Sequence, residues 1–318
     1  MFDIEIPEDE IIKKIETPLM HDFVKISSKD DPNKFCILPQ HFVDNYLERV
    51  KNMEVFDDDI WVVTFPKCGT TWSQEMSWMI GNNLDYKKST EVLLDERFPF
   101  LEAGGLADKI PMDTFEICEN MPRPRYIKSH LPLFLLPDQL WTVKPKIIYV
   151  ARNPKDTAVS WYYHHHNLHG YQGTKADFME AFVKDLVLYS PMNQHVIDFW
   201  NIRYEQNVLF LFFEEMKRNL SQEVKKVMKF MEKDYTQEEI DILCVHLSFD
   251  SIKNNKMVNK EVDIKNWMQM TGREYNPEDF TFIRKGKVGG YKKELTEEEN
   301  DMFDEYIKKA EFEIEYQF

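Results

Sequence analysis

The chain has 318 residues, 43% of them apolar and 14% aromatic, with 40 basic against 56 acidic side chains. The resulting net charge of −16 speaks against a nucleic-acid or anionic-membrane partner, so any bound anion needs a local cluster of cations and backbone donors. Four scattered cysteines (Cys36, Cys68, Cys118, Cys244) form no C-x-x-C pair, which suits free thiols in a reducing compartment rather than disulfides or a zinc site.

The opening, "MFDIEIPEDEIIKK", is acidic and lacks the apolar stretch of a secretory leader, so a cytoplasmic protein is expected. A first strand is predicted over Ile60–Phe65, where every position but one is apolar. "TFPKCGTTW" (Thr64–Trp72) follows, and Trp72, Met76, Met79 and Ile80 then mark one face of a helix that Gly81 can end. A second strand over Arg125–Lys128 runs into "IKSHLP", and a third over Lys146–Ala151 runs into "VARNPKDTAVSWYYHHH". A fourth strand covers Asn207–Phe213; its apolar part is far too short to cross a bilayer. Val224, Val227, Met228 and Met231 form a further helical stripe, and a capping box, Thr296 with Glu299, opens a last helix with Met302, Phe303, Tyr306 and Ile307 on its apolar face. No internal repeat or low-complexity linker interrupts the chain, so residues 1–318 read as one domain. Continuously apolar strands alternating with helices predict an α/β fold: a central parallel sheet with helices on both faces. In such sheets ligands collect at the carboxyl ends of the strands.

Three clusters at those ends carry anion chemistry. In the first loop Gly69 permits close backbone approach, Thr70, Thr71 and Trp72 present N–H groups at a helix start, and Lys67 adds a full charge. The loop resembles a P-loop but lacks the GK[ST] ending of a nucleoside-triphosphate site. Arg152 stands at the end of the third strand, with Ser160 eight residues on in the following helix; a guanidinium can fork onto a phosphate and a hydroxyl can donate to it. "IRKGKVGGYKK" places five cations among eleven residues without one acid, including Arg284 and Lys285 beside Gly286. Each cluster alone also has a bland reading: a structural turn with a helix cap, a surface arginine with a helix serine, and a solvated basic loop, the second of these being the favoured one for Arg152 and Ser160.

Together, in this order and spacing, "TFPKCGTTW", "VARNPKDTAVSWYY" and "RKGKVGGYKK" resemble the cytosolic sulfotransferases, and "RFPFLE", "IKSHLP" and "LFLFFEEMK" fit the same family. The resemblance runs from about residue 40 to the C-terminus; residues 1–35 match it least. It implies 3′-phosphoadenosine 5′-phosphosulfate as donor and 3′-phosphoadenosine 5′-phosphate as product, without a metal. By that resemblance Lys67, Cys68, Gly69, Thr70, Thr71 and Trp72 hold the 5′-phosphosulfate, and Arg152, Ser160, Arg284, Lys285 and Gly286 hold the 3′-phosphate. Trp72, Phe213, Leu247 and Phe249 border the adenine. The catalytic set it implies is His130 as general base, Lys128 and Lys67 as charge stabilisers, and Ser160 as a restraint on Lys67. Phe100, Lys128, His130 and His164 would line a pocket for a small apolar acceptor such as a phenol, sterol or retinoid.

The sequence departs from the family pattern at several points. Cys68 replaces a serine, Phe65 and Phe213 replace tyrosines, Leu247 replaces a threonine, and "GGY" stands for "GDW". The family's dimer motif, K-x-x-x-T-V-x-x-x-E, falls on Lys292, Thr296, Glu297 and Asp301, where a glutamate replaces the valine. A monomer or weak homodimer is expected. His164–His166 cannot share one metal ion, because consecutive helical residues point about 100° apart. An insect retinol dehydratase shares the family's fold and cofactor site, so elimination from an allylic alcohol is the alternative outcome. A kinase is disfavoured by the missing triphosphate signature, and an inert scaffold by the retention of Lys67, Lys128, His130 and Ser160.

Overall fold

Strands covered on both faces read as near-continuous apolar runs, and four such runs of the chain join into one sheet. The computed structural model describes residues 2–270, 272, 274, 276 and 281–310. A small antiparallel sheet comes first, of β1 (Phe2–Glu5), β2 (Phe23–Ser28) and β3 (Phe35–Pro39). The central sheet follows, of β4 (Ile60–Val63), β5 (Tyr126–Ser129), β6 (Lys146–Ala151) and β7 (Val208–Phe212), in the order β5-β4-β6-β7. All three pairings in it are parallel. The four strands expected from sequence are these four, each within two residues at its ends.

Alternate residues supply two core layers. Ile60, Val62, Ile148 and Val150 pack with Met76 and Met79 of helix Thr70–Gly81 and with Val224, Val227 and Met228 of helix Leu220–Phe230. Trp61, Val63, Ile147 and Tyr149 face the other way, onto Ala158 and Val159 of helix Pro154–His164, Phe199 of helix Met192–Asn201 and Phe303 of helix Glu297–Lys308. The fold is thus the α/β arrangement with helices on both faces. The capping box at Thr296 forms as the spacing predicts, with both reciprocal bonds to Glu299.

Two details place the functional residues. From β4 the chain crosses to β5 on one side, whereas β6 continues to β7 on the other; β4 and β6 therefore flank the crevice where an α/β sheet binds its ligand. Beyond the outer edge of β5, Phe100 bridges to Lys128: Lys128 N–H donates to the Pro99 carbonyl at 2.9 Å, and Leu101 N–H to that of Lys128 at 2.9 Å. The small sheet was not expected from sequence. Its β3 reaches the site region, since Tyr189 N–H donates to the Ile37 carbonyl at 2.9 Å and Ile37 N–H to that of Ser190 at 3.1 Å. Among the described residues no helix is long and apolar enough to cross a membrane.

Candidate active site

The carboxyl ends of all four parallel strands open onto one cavity of about 720 Å³. Every site residue expected from sequence lines it except Cys68, which is buried behind it.

β4 delivers the first loop. Lys67 (φ 69°) and Gly69 (φ 108°) both take left-handed backbone, turning the chain sharply into helix Thr70–Gly81. A Cβ at residue 69 would stand 2.9 Å from the Phe213 ring, so both conformation and close approach demand glycine there. The first N–H groups of that helix have no partner within it and face an anion's natural seat. Cys68 Sγ lies 3.7 Å from Thr157 Oγ1, and burial pushes its thiol up to about 12. It is therefore a neutral packing group joining the loop to helix Pro154–His164.

β6 delivers Arg152 across the crevice. One of its nitrogens donates to the Lys67 carbonyl at 2.9 Å and another to the Lys287 carbonyl at 3.3 Å, while Nε is buried with no partner among the described residues. That unpartnered donor, between the two basic loops, suits an anionic ligand. Asn153 caps the helix by accepting from Lys155 N–H at 2.8 Å. Asp156, one turn in, accepts from Gly289 N–H at 2.7 Å and Tyr291 N–H at 2.9 Å, pinning the C-terminal basic loop to this helix. Gly286 (φ 53°) sits so close to Phe249 that a Cβ would meet its ring at 2.5 Å. Trp72 and Phe213 meet edge-on at 5.8 Å, and Trp72 Nε1 donates to the Leu247 carbonyl at 2.9 Å. Trp72, Phe213, Leu247 and Phe249 thus form an apolar slot beside the two basic loops, with Lys217 Nζ 5.5 Å from both the Trp72 and Phe249 rings.

β5 delivers the candidate base. His130 Nδ1 lies 2.7 Å from the Thr64 carbonyl, which can only accept, so Nδ1 carries the proton and Nε2 the lone pair. Burial, then the charge of Lys128, holds His130 well below its ordinary value, so the ring is neutral. Its backbone is fixed from both sides. Its N–H donates to Glu102 Oε1 at 2.6 Å, and its carbonyl accepts from His195 Nε2 at 3.0 Å. Phe100 and Tyr189 flank the ring edge-on at 5.1 and 5.5 Å, and the Tyr189 hydroxyl donates to Glu102 at 3.2 Å.

The lysines behave unlike surface lysines. Burial and then the charges of Lys128, Arg152 and Arg284 lower Lys67 to about 7; burial and then Lys260 lower Lys128 to about 8. Both ammonium groups sit over rings instead of acids, Lys67 over Phe282 at 3.9 Å and Lys128 over Phe100 at 3.8 Å. The resemblance expects Ser160 to restrain Lys67. Ser160 lines the cavity, but the side chain bonded to Lys67 Nζ is His164, through Nδ1 at 3.3 Å. The other two histidines of the run diverge, His165 to His169 Nδ1 at 3.0 Å and His166 to the Tyr171 carbonyl at 2.9 Å. Glu102, Tyr189, Asp156 and Lys217 escaped the sequence reading; Glu102, Asp156 and Lys217 stand inside quoted motifs, whereas Tyr189 stands in none.

Two basic loops, an aromatic slot and a neutral histidine at parallel strand ends make up the site of an enzyme of the α/β class suited to an anionic ligand. The chain belongs to the sulfotransferase domain family, whose sequence model matches residues 57–313. It is 37% identical over 284 residues to a luciferin sulfotransferase of Photinus pyralis (84% of this chain, 76% of that protein). It is also 37% identical over 268 residues to sulfotransferase 1 family member D1 of Mus musculus (83% and 87%). Among solved structures it is similar to retinol dehydratase in complex with androsterone and the inactive cofactor PAP, at a TM-score of 0.87 and 25% identity, covering 100% of this chain and 98% of that one. Mouse sulfotransferase SULT7A1 complexed with PAP matches at a TM-score of 0.67 and 26% identity, covering 87% and 91%. Sulfotransferase activity with a phosphosulfate nucleotide follows from this membership.

Proposed function

We propose that the protein moves a sulfuryl group from 3′-phosphoadenosine 5′-phosphosulfate to the hydroxyl of an apolar small molecule, with His130 as general base. The observation that carries this reading is the His130 tautomer: Nδ1 committed to the Thr64 carbonyl, Nε2 without a hydrogen-bond partner among the described residues, on a neutral ring lining the cavity. When bound, the nucleotide supplies the sulfuryl group. Lys67 and the N–H groups of residues 70–72 would hold its 5′ end, Arg152, Ser160, Arg284, Lys285 and Gly286 its 3′-phosphate, and the slot of Trp72, Phe213, Leu247 and Phe249 its adenine. Phe100, Lys128 and His164 complete the acceptor side with His130. His130 Nε2 takes the acceptor's hydroxyl proton as its oxygen becomes the nucleophile. Lys128 and Lys67 place positive charge on either side of the transfer, and the buried surroundings strengthen both.

Apolar side chains from separate segments, among them Met20, Leu106, Ile110 and Trp267, line the acceptor end. Such walls suit a sterol, retinoid or substituted phenol better than a strongly polar acceptor. A second reading is favoured by the full-length likeness to retinol dehydratase: with a conjugated allylic alcohol, the net product would be the dehydrated hydrocarbon. The test is a panel of phenols, sterols, retinoids and catecholamines with labelled donor, read by mass spectrometry for sulfated and dehydrated products. His130→Ala should lower turnover about 10²–10⁴-fold while binding 3′-phosphoadenosine 5′-phosphate within about twofold of wild type. Normal turnover in that variant would remove His130 from the mechanism.

A further inference from the structure

The basic loop assigned to the 3′-phosphate is not electrostatically bare. Glu294 follows the short turn Gly290–Lys293, and only 14% of its side chain is exposed. Its Oε1 accepts from Lys285 Nζ at 2.6 Å and from Arg284 Nη1 at 3.3 Å, and its Oε2 from the Tyr163 hydroxyl at 2.8 Å. Arg284 also lies over the Tyr163 ring, 4.2 Å from its centroid. The backbone beneath is fixed: the Glu294 carbonyl accepts from Lys175 Nζ, and the next residue, Leu295, is buried. Burial works to raise the carboxyl, but the bonds from Lys285, Tyr163 and Arg284 prevail and hold it at about 2, so the group is an anion throughout the ordinary range.

We propose that Glu294 is an internal counter-anion that occupies the two clamp cations and lowers the protein's affinity for the nucleotide's 3′-phosphate. The proposal rests on the reading above that Arg284 and Lys285 meet that phosphate. One carboxylate oxygen already accepts a hydrogen bond from each of these two cations, so the phosphate enters by exchange: it must draw away, or share, donors already satisfied. After the exchange a carboxylate remains beside the phosphate at close range, and like charges there repel. Glu294 is therefore a specificity-determining residue for the donor nucleotide. It offsets part of the Arg152–Arg284–Lys285 attraction and keeps the spent nucleotide from being held too tightly.

Calorimetric titration of the full chain with 3′-phosphoadenosine 5′-phosphate and with adenosine 5′-phosphate separates this role from general packing, because the two probes differ only in the 3′-phosphate. Glu294→Gln keeps the shape and removes the charge; Glu294→Thr guards against a packing fault specific to the amide. Expected is a roughly three- to tenfold tighter Kd for 3′-phosphoadenosine 5′-phosphate in both variants, diminishing in high salt, with adenosine 5′-phosphate within about twofold of wild type. Unchanged or weaker binding of the 3′-phosphorylated probe in both variants overturns the proposal and would make Glu294 a scaffold for the clamp. If wild-type protein binds the two probes equally, the 3′-phosphate assignment itself fails, a result distinguishable from a discriminating wild type with indifferent variants.

Discussion

At the scale of single residues, the site works through side chains moved away from their ordinary ionisation. Lys67 is the case with the sharpest consequence. Burial and neighbouring cations lower it to about 7. A bound 5′-phosphate would restore the ordinary lysine behaviour, because an anion beside the amine favours its charged form. The bound-state pKa then exceeds the free-state one, and binding takes up a proton wherever pH lies between them. Affinity is full below about pH 7 and declines as pH rises, by up to tenfold per unit; Lys128, held at about 8, adds to the same trend. Titrating 3′-phosphoadenosine 5′-phosphate from about pH 6 to about pH 9, in two buffers of different ionisation heat, should show proton uptake rising above about pH 7. Lys67→Met should lose most of that uptake. A Kd flat across this range, with no buffer dependence, would contradict the depressed lysine. Cys68 shows the opposite logic, since burial keeps it a neutral thiol and its 3.7 Å contact with Thr157 serves packing.

At the scale of elements, helix Pro154–His164 organises the site. Its N-terminal cap follows Arg152, its first turn holds Asp156, its later turns carry Ser160 and His164, and Tyr163 reaches Glu294. Asp156 joins this helix to the basic loop by accepting two backbone N–H groups. Asp156→Ala leaves both donors without that partner, at a cost of about 1–3 kcal/mol. Expected are faster hydrogen exchange at Gly289 and Tyr291 and roughly tenfold weaker binding of 3′-phosphoadenosine 5′-phosphate. Unchanged protection at both amides would show that the loop is held by other contacts. The central elements were legible because burial on both faces leaves strands such as Ile60–Val63 continuously apolar, and because Thr296 and Glu299 spell a cap. The small first sheet was not: β1 is almost wholly exposed, and β2 mixes lysine and serines with apolar residues. The anion loops were legible as strand–loop–helix joins. The pairing of Glu294 with Tyr163, or of Tyr189 with Glu102, was not, since each depends on segments that only the fold brings together.

At the scale of the whole molecule, the first forty residues belong to the site as much as the motifs do. Met20 lines the cavity, and β3 fixes the backbone at Tyr189, which flanks His130. The C-terminal segment poses the question of assembly. Where the related dimer motif has an apolar valine, this chain has Glu297, and Glu297, Glu298 and Asp301 are all exposed on the first turns of the last helix. The Thr296 hydroxyl is engaged in capping that helix, accepting from Glu299 N–H at 3.1 Å. A two-fold contact through this segment would set its acids against their own copies, in a molecule already carrying a net charge of −16. Like charges at such range oppose association by more than a small, polar contact can return. Light scattering should therefore give a monomer mass at tens of micromolar, and Glu297→Val, which removes a charge and restores an apolar centre, should shift it toward a dimer. A tight wild-type dimer that is disrupted by substitutions at Lys292, Glu297 and Asp301 would show that the segment pairs despite its charge, and that cations such as Lys292 and Lys293 neutralise the acids across the interface.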